Sequence, residues 1–195
     1  MHDDHRITER RLRRLLDERI RPAIYGPGTP LEVAVHHVSG EPIGVEAARE
    51  ANYEPCLVGE PWGPAWGTSW FRLTGRVPAE SAGRRVEALV DLGFIGGQVG
   101  FNAEGLVWDE AGPRHGLHPG RRWSLVADPA EGGEAVDLLV EAAANPFVNM
   151  NAPTRLGDVL TAPTTPMYRL ARAEVAPLNA EVWHPELGVD FLLRL

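Results

Sequence analysis

The sequence predicts a mainly β protein: an antiparallel β-sandwich, or jelly roll, with an amphipathic helix before it and a helical connector after it. Apolar and polar residues alternate in several short segments, which is typical of half-buried strands. The 21 glycines and 17 prolines are scattered between these segments without a period, as expected where tight turns join many short elements. No helical pattern separates the strands, which argues against the βαβ units of a parallel sheet.

Composition limits the possible classes of protein. A chain of 195 residues suits one well-buried domain with terminal extensions. No segment approaches the ~20 apolar residues of a membrane span, and no apolar stretch follows the polar start, so we expect a cytoplasmic protein without a membrane partner. The net charge of −8 opposes binding to nucleic acid. The single cysteine, Cys56, excludes an internal disulfide and any multi-cysteine metal site.

Residues 1–24 form the first predicted element, an amphipathic helix. Its apolar residues recur at helical spacing, charged residues occupy the other faces, and Pro22 is predicted to end it. The apolar positions are Ile7, Leu12, Leu15, Leu16 and Ile20. Because acids lie among its arginines, the charged face is interpreted as exposed to solvent or to another domain.

The sandwich is predicted to occupy residues 25–176. Its first strand lies over 31–38 and is followed by an aperiodic but apolar stretch, 39–61, that is typical of an ordered crossing loop. In the next strand, 68–77, Phe71 and Leu73 point into the core, whereas Trp70 points outward, toward whatever covers that face.

Later strands follow the same alternation. They are predicted at 86–92, 98–101, 106–108, 122–127, 134–142 and 167–175. The strand at 134–142 is apolar on both faces and is therefore predicted to be central. Residues 177–195 begin as a helix at Ala180 and end on apolar residues without a cap. We therefore expect 177–195 to be a truncated connector, and the chain to be the front of a longer protein.

Three of the six tryptophans lie within nine residues. An indole is costly to expose and needs a partner for its N–H when buried, so this cluster predicts either a packed corner or a platform on which sugars stack. Packing in the core or against another domain is the favoured interpretation, because aromatic residues dominate buried contacts. The candidate carbohydrate or domain-interface contacts are Trp62, Trp66, Trp70, Trp108 and Asn145.

No catalytic or metal-binding residue is predicted in this chain. His115 and His118 are three residues apart, but no third ligand accompanies them. His36 and His37 point to opposite faces of one strand. Several acids fall at strand ends or turns, where their backbone hydrogen bonding already explains them. These are Asp91, Asp109, Glu110 and Asp128.

The tryptophan cluster belongs to a longer motif. The run Glu-Pro-Trp-Gly-Pro-Ala-Trp-Gly-Thr-Ser-Trp-Phe at 60–71, then Val77-Pro78 and Val90-Asp91-Leu92-Gly93, resembles the non-catalytic N-terminal region of class II α-mannosidases of the vacuolar and bacterial type, glycoside hydrolase family 38. Later pairs such as Gly112-Pro113 and Arg122-Trp123, and the segment around Trp183, occur in the same order.

The resemblance implies a galactose-binding-like jelly roll that belongs to a retaining hydrolase of α-mannosides. Such an enzyme uses a zinc ion and a carboxylate nucleophile, both expected in the missing catalytic domain, which is the expected partner of this chain. None of that machinery transfers here. The family's His-x-Asp zinc motif occurs only as His2-Asp3-Asp4, in a polar N-terminus without the matching context.

Two alternatives of another class stay open. One is a stand-alone carbohydrate-binding module, motivated by the same tryptophans. The other is an assembly domain whose N-terminal helix forms homo-oligomers.

Overall fold

The computed structural model describes residues 5–97, 99–100, 102–146 and 164–183. The described residues form two larger antiparallel sheets that face each other across a common core, a separate two-stranded sheet, and a helix that precedes them. The mainly β, jelly-roll class predicted from the sequence is confirmed. None of the helices in these ranges is both long and apolar enough to cross a membrane.

The helical segments are short. The first helix is followed by a π-helical turn, Leu16–Ile20, and a 3-10 turn, Arg21–Ala23, so the regular α-helix ends earlier than Pro22, where the sequence predicts it to end. A second 3-10 turn spans Ala79–Ser81. The two α-helices are α1 (His5–Leu15) and α2 (Val45–Arg49).

The strands are named in chain order. They are β1 (Thr29–Pro30), β2 (Glu32–His37), β3 (Glu54–Pro55), β4 (Pro61–Trp62), β5 (Thr68–Arg76), β6 (Val86–Asp91), β7 (Ala103–Asp109), β8 (Gly112–Leu117), β9 (Trp123–Ala127), β10 (Ala135–Ala144), β11 (Tyr168–Arg169) and β12 (Arg172–Pro177).

The larger sheet has the order β3-β2-β5-β10-β7-β8. β10 pairs with β5 on one side and β7 on the other, so the prediction of a central strand is confirmed. The register places Val140 opposite Phe71 and Leu138 opposite Leu73. Phe71 and Leu73 are fully buried, as predicted from the alternation. Burial of apolar side chains from facing strands is what stabilises such a sheet.

The smaller sheet has the order β1-β12-β6-β9. β6 is buried at every position from Val86 to Val90, although the alternation predicts a half-buried strand. The inner side chains Val86, Ala88 and Val90 belong to the common core. Glu87 on the other face is covered because Tyr25 and Arg85 bind its carboxylate.

The sequence misplaces several connections. The stretch 39–61, predicted as a loop, contains α2, β3 and the first residue of β4, and the predicted strand 167–175 is two strands. β11 pairs with β4, whereas β12 pairs with β6, so the chain changes partner between them. These pairings join segments far apart in sequence, which local periodicity cannot reveal.

Two further differences concern strands near glycines. The sequence does not predict β8, because the Gly112-Pro113 pair at its start is typical of a turn. No strand forms at residues 99–100, and the rest of the predicted strand 98–101 lies outside the described residues.

The predicted C-terminal helix is described only from Ala180 to Trp183. The rest of the predicted connector, 184–195, and the N-terminal His2-Asp3-Asp4 also lie outside the described residues.

Candidate functional site

The tryptophan cluster is built on a turn between β4 and β5. The Gly67 amide donates to the Pro64 carbonyl at 2.8 Å, and the Met167 amide donates to the Gly63 carbonyl at 2.8 Å. Gly63 has a φ of 64°, and a Cβ there would lie 2.5 Å from the Cβ of Ala144. Only glycine fits both the backbone conformation and the close approach. The turn therefore holds the three tryptophans in fixed positions relative to the end of β10.

Trp62 lies inside the core. It is 1% exposed, its Nε1 donates to the Leu92 carbonyl at 2.8 Å, and its ring meets Phe71 edge-on at 5.5 Å between centroids. Tyr168 stacks on it at 5.4 Å. Trp62, a candidate surface contact from the sequence, has its ring and its N–H satisfied within this chain, so it presents no surface to a sugar or another domain.

Trp66 is the strained member of the cluster. Its φ of 66° lies in the left-handed region, which is uncommon for a bulky residue and costs on the order of 1–3 kcal/mol. Its amide donates to the Ala144 carbonyl at 2.9 Å, which holds the backbone in this conformation. The indole is half-buried, and its Nε1 is buried without a hydrogen-bond partner. Trp66 stays a candidate contact because part of its side chain is exposed.

Trp70 and Trp108 pack together on the outer face of the larger sheet, with ring centroids 6.2 Å apart. Trp70 is fully buried under the stretch 38–53, which contributes Val38, Ile43, Val45, Ala48 and Tyr53 to this second apolar cluster. The prediction that Trp70 lies against something outside this chain is therefore wrong. The sequence does not reveal the cover, because the covering residues lie in the aperiodic stretch that precedes the strand.

Asn145 lies just beyond the end of β10 and is half-buried. Its backbone carbonyl accepts a hydrogen bond from the Tyr168 hydroxyl. Burial raises the pKa of Tyr168 to about 12, so the phenol remains a donor. This contact gives Asn145 a structural role at the end of the sheet, next to the tryptophan turn.

A groove that the sequence does not predict opens where the edges of the two sheets meet. It has a volume of about 960 Å³ and lies between β2, β3, β12 and the segment 56–58. Leu57 is 69% exposed and Val58 is 55% exposed. The rim carries both signs of charge, from Glu32 and Arg172 among others. Adjacent exposed apolar side chains in a groove with a polar rim are typical of an interaction surface. We call this feature the edge groove.

A second cleft, of about 610 Å³, lies beside the smaller sheet. It is lined by residues of three distant segments, namely Gly83, Arg84, Arg85, Glu87, Trp123, Asp128, Leu178, Ala180 and Trp183. Glu87 is 2% exposed and accepts hydrogen bonds from Arg85 Nε at 2.7 Å and from the Tyr25 hydroxyl. Arg85 also reaches Asp128 at 3.3 Å. We call this feature the Trp183 cleft.

The Tyr25 hydroxyl stays protonated in this network. Burial raises the pKa of Tyr25 far above its ordinary value, and the hydrogen bond to Glu87 and its negative charge raise the pKa further. Tyr25 therefore donates while Glu87 accepts. The Glu87 carboxylate is therefore hydrogen-bonded on both sides, by Arg85 and by Tyr25.

The acidic residues behave as the sequence predicts for turns. Asp91 Oδ1 accepts the amides of Gly93 and Phe94, and Asp109 Oδ1 accepts those of Ala111 and Gly112. These two carboxylates cap local backbone donors, which is the role that the sequence predicts for acids at turns.

A family model described as "Alpha-mannosidase, jelly roll domain" matches residues 29–176, which is most of the chain. The chain belongs to this family. The jelly roll domain begins, in this match, at the first residue of β1 and ends within β12, so α1 lies outside it.

The relatives are α-mannosidases. The chain is similar to α-mannosidase 2C1 of Homo sapiens, with 27% identity over 184 residues, which are 92% of this chain and 16% of the relative. It is also similar to α-mannosidase 2C1 of Mus musculus (27% identity; 78% of this chain, 14% of the relative) and to α-mannosidase G of Dictyostelium discoideum (26%; 72% and 12%). The chain spans less than a fifth of the length of these curated relatives.

The histidines of the jelly roll domain serve local packing. His115 Nδ1 lies 3.1 Å from the Gly116 carbonyl, and burial lowers the pKa of His115. His118 Nδ1 accepts the Gly120 amide at 3.1 Å. Within the described ranges, no group of three histidine, cysteine, aspartate or glutamate side chains converges to hold a metal ion.

Proposed function

We propose that this chain is the N-terminal jelly roll domain of a cytoplasmic α-mannosidase of the vacuolar and bacterial class II type, glycoside hydrolase family 38. In this proposal the domain has a galactose-binding-like fold and lies against the catalytic portion of the same enzyme, which hydrolyses terminal α-mannosides. The observation that carries the proposal is the match of residues 29–176 to the jelly roll domain of α-mannosidases.

The edge groove is the proposed contact with the catalytic portion. In the relatives this region is a sixth or less of one polypeptide, so the remainder of an α-mannosidase is its covalent neighbour. Leu57 and Val58 project from the groove without cover, and burying them against that neighbour removes apolar surface from water. The mixed charges of the rim suit the polar margin of an interface within one protein.

The zinc ion and the carboxylate nucleophile of a retaining hydrolase belong, in this proposal, to the catalytic portion. The described residues of this chain do not fit zinc, because three suitable ligands do not converge. The jelly roll domain therefore contributes position and cover, and its own residues carry out no step of the reaction.

Charge placed in the edge groove tests the docking proposal. In the complete gene product that contains this chain, the double variant Leu57→Glu, Val58→Glu should separate the two portions, because glutamate is costly to bury without a partner. The expected result is faster release of the jelly roll domain by limited proteolysis. Val99→Glu is the matched control, since Val99 is 62% exposed and lies outside the groove. Equal release from both variants would contradict the docking site.

Assembly through α1 is a second candidate function. Ile7 and Leu15 on this helix are 42% and 48% exposed, which is unusual for apolar side chains of an amphipathic helix. Sedimentation of a version that lacks residues 1–24 should show a smaller species if α1 holds copies together. An unchanged sedimentation coefficient, after correction for mass, would remove this candidate.

A further inference from the structure

The Trp183 cleft combines an aromatic surface with polar groups that keep unused hydrogen-bonding capacity among the described residues. We propose that this cleft binds a neutral pyranoside, with the Trp183 indole as the stacking surface and with Arg84 and Asp128 as hydrogen-bonding partners. The site differs from the tryptophan cluster in which the sequence predicts a sugar platform. It is also separate from the edge groove, and it stands independently of the docking proposal.

Trp183 is the aromatic residue available for a ligand. It is half-buried, and among the described residues it has no ring contact and no hydrogen bond to its Nε1. Trp62, Trp70 and Trp108, by contrast, pack on other aromatic rings within the fold. A flat, partly exposed indole with a free N–H can contact the apolar face of a sugar ring and also donate to one of its hydroxyls.

Trp123 forms the wall of the cleft instead of a platform. The Arg121 guanidinium lies 4.3 Å from the centre of its ring, and that of Arg85 lies at 5.4 Å. These cation–π contacts occupy the indole and hold it in place. A ligand that enters the cleft therefore meets a fixed wall at Trp123 and, at Trp183, a ring that no other described aromatic or cationic group contacts.

The polar groups offer both a donor and an acceptor. Arg84 is exposed and, among the described residues, has no ion-pair partner, so its guanidinium donors are unused. Asp128 is 47% exposed in its side chain and contacts Arg85 through Oδ2 alone, so Oδ1 can accept. Each sugar hydroxyl can donate one hydrogen bond and accept others, so a pair of neighbouring hydroxyls is complementary to a guanidinium beside a carboxylate.

The charges of the lining select against ions. Two guanidinium groups, those of Arg84 and Arg85, face two carboxylates, those of Glu87 and Asp128, so the formal charges cancel. An anion or a cation would therefore gain little net attraction, whereas an uncharged polyol is bound by hydrogen bonds and stacking. The volume of about 610 Å³ lies in the range of small-molecule sites, roughly 300–1,000 Å³.

Indole N–H signals in a two-dimensional ¹H–¹⁵N NMR spectrum of the 195-residue chain test this proposal directly. The Trp183 signal is assigned by its loss in Trp183→Phe, and the probe is methyl α-D-mannopyranoside. We expect saturable shifts of the Trp183 and Trp123 signals, with the Trp66 and Trp70 signals unmoved. Trp183→Ala and Arg84→Ala should each weaken binding about tenfold, as expected for the loss of a central contact.

Matched variants and a charged probe make the result decisive. Arg14→Ala removes an exposed arginine on α1, which pairs with Glu18 outside the cleft, and should leave the affinity unchanged. Trp183→Phe keeps the aromatic face and should bind more weakly than the wild type but more tightly than Trp183→Ala. The absence of saturable shifts at Trp183, or shifts caused only by inorganic phosphate, would overturn the proposal. Either result would leave the proteolysis test of the edge groove unaffected.

Discussion

At the scale of single residues, Trp66 is where the backbone departs most from what its side chain prefers. The turn demands a φ of 66°, which glycine adopts at no steric cost and which a residue with a Cβ adopts at about 1–2 kcal/mol. Three tryptophans of similar sequence context therefore have different roles. Trp62 and Trp70 are fully buried, Trp62 in the common core and Trp70 on the outer face of the larger sheet, whereas Trp66 is half-buried on a strained backbone.

The strain predicts an unusual order of stability for two variants at this position. Trp66→Gly should have a free energy of unfolding about 1 kcal/mol higher than Trp66→Ala, because both lack the indole and only alanine keeps the Cβ strain. Urea denaturation of the two variants measures the difference. Ala65→Gly is the control, since Ala65 has no positive φ. At that position the glycine variant should be less stable than the wild type, which has alanine. If Trp66→Ala proves as stable as Trp66→Gly, the backbone at this position is not strained.

The Cys56 thiol predicts a pH dependence. The pKa of Cys56 is raised from an ordinary 9.0 to about 11. Burial is the largest cause, and the negative charge of Glu60 and a hydrogen bond with Glu60 add to it. Because the folded state holds the proton more tightly than the unfolded state, the thiol's contribution to stability is complete below pH 9 and is lost as the pH rises toward about 11. The reactivity of the Cys56 thiol in the folded chain should therefore rise over the same pH range, from 9 toward about 11.

The rate of reaction with Ellman's reagent measures this directly. At pH 8 the folded chain should react far more slowly than the chain in urea, and the folded rate should climb as the pH approaches about 11. A folded rate at pH 8 equal to the rate in urea would show that the thiol is neither buried nor shifted. Cys56→Ser removes the signal and controls for reagent hydrolysis.

At the scale of elements, the stability of β6 depends on how one of its own side chains, the buried carboxylate of Glu87, is paired. Glu87 is 2% exposed, and its partners Arg85 and Tyr25 satisfy it. Removing one partner of a buried ion pair leaves a charge without compensation, which costs more than the pair contributes. The ion pair between Arg72 and Asp137 on the larger sheet is the natural comparison, since both side chains are nearly half exposed.

Arginine truncation on the two sheets should therefore have unequal effects. Arg85→Ala should lower the free energy of unfolding by about 2 kcal/mol, a value reduced because the Arg85 side chain is 33% exposed. Arg72→Ala should lower it by about 0.5 kcal/mol, as is usual for surface pairs. Chemical denaturation at one pH compares the two. If both truncations lower the free energy of unfolding by the same small amount, the Glu87 carboxylate does not need Arg85 to remain buried.

The elements also show what sequence can and cannot predict. Alternation places Phe71 and Leu73 in the core and β10 at the centre of its sheet, because strand periodicity is local. It cannot show that residues 38–53 cover Trp70, nor that Trp123 and Trp183 line one cleft, since those contacts join distant segments. The edge groove escapes prediction for the same reason. Its exposed apolar residues lie in a stretch without periodicity, where no pattern distinguishes an exposed apolar residue from a buried one.

At the scale of the whole molecule, the face on which the sequence predicts an outside partner is covered by the chain itself. The surfaces open to partners lie elsewhere. The outer face of the larger sheet is covered by the chain itself at Trp70, and the edge groove and the Trp183 cleft are two openings that the described residues leave for partners. The edge groove is the apolar one and is assigned to the proposed catalytic portion. The Trp183 cleft is polar and balanced in charge, and it is assigned to a sugar.

The central claim is that this jelly roll domain works as one part of a larger α-mannosidase. The most direct test is the intact mass of the natural gene product, captured with an antibody raised against this chain and assayed with a chromogenic α-mannoside. We predict a single polypeptide much heavier than the 21.3 kDa of this chain, which cleaves the mannoside and loses that activity with a zinc chelator. A product of 21.3 kDa without activity would contradict the claim.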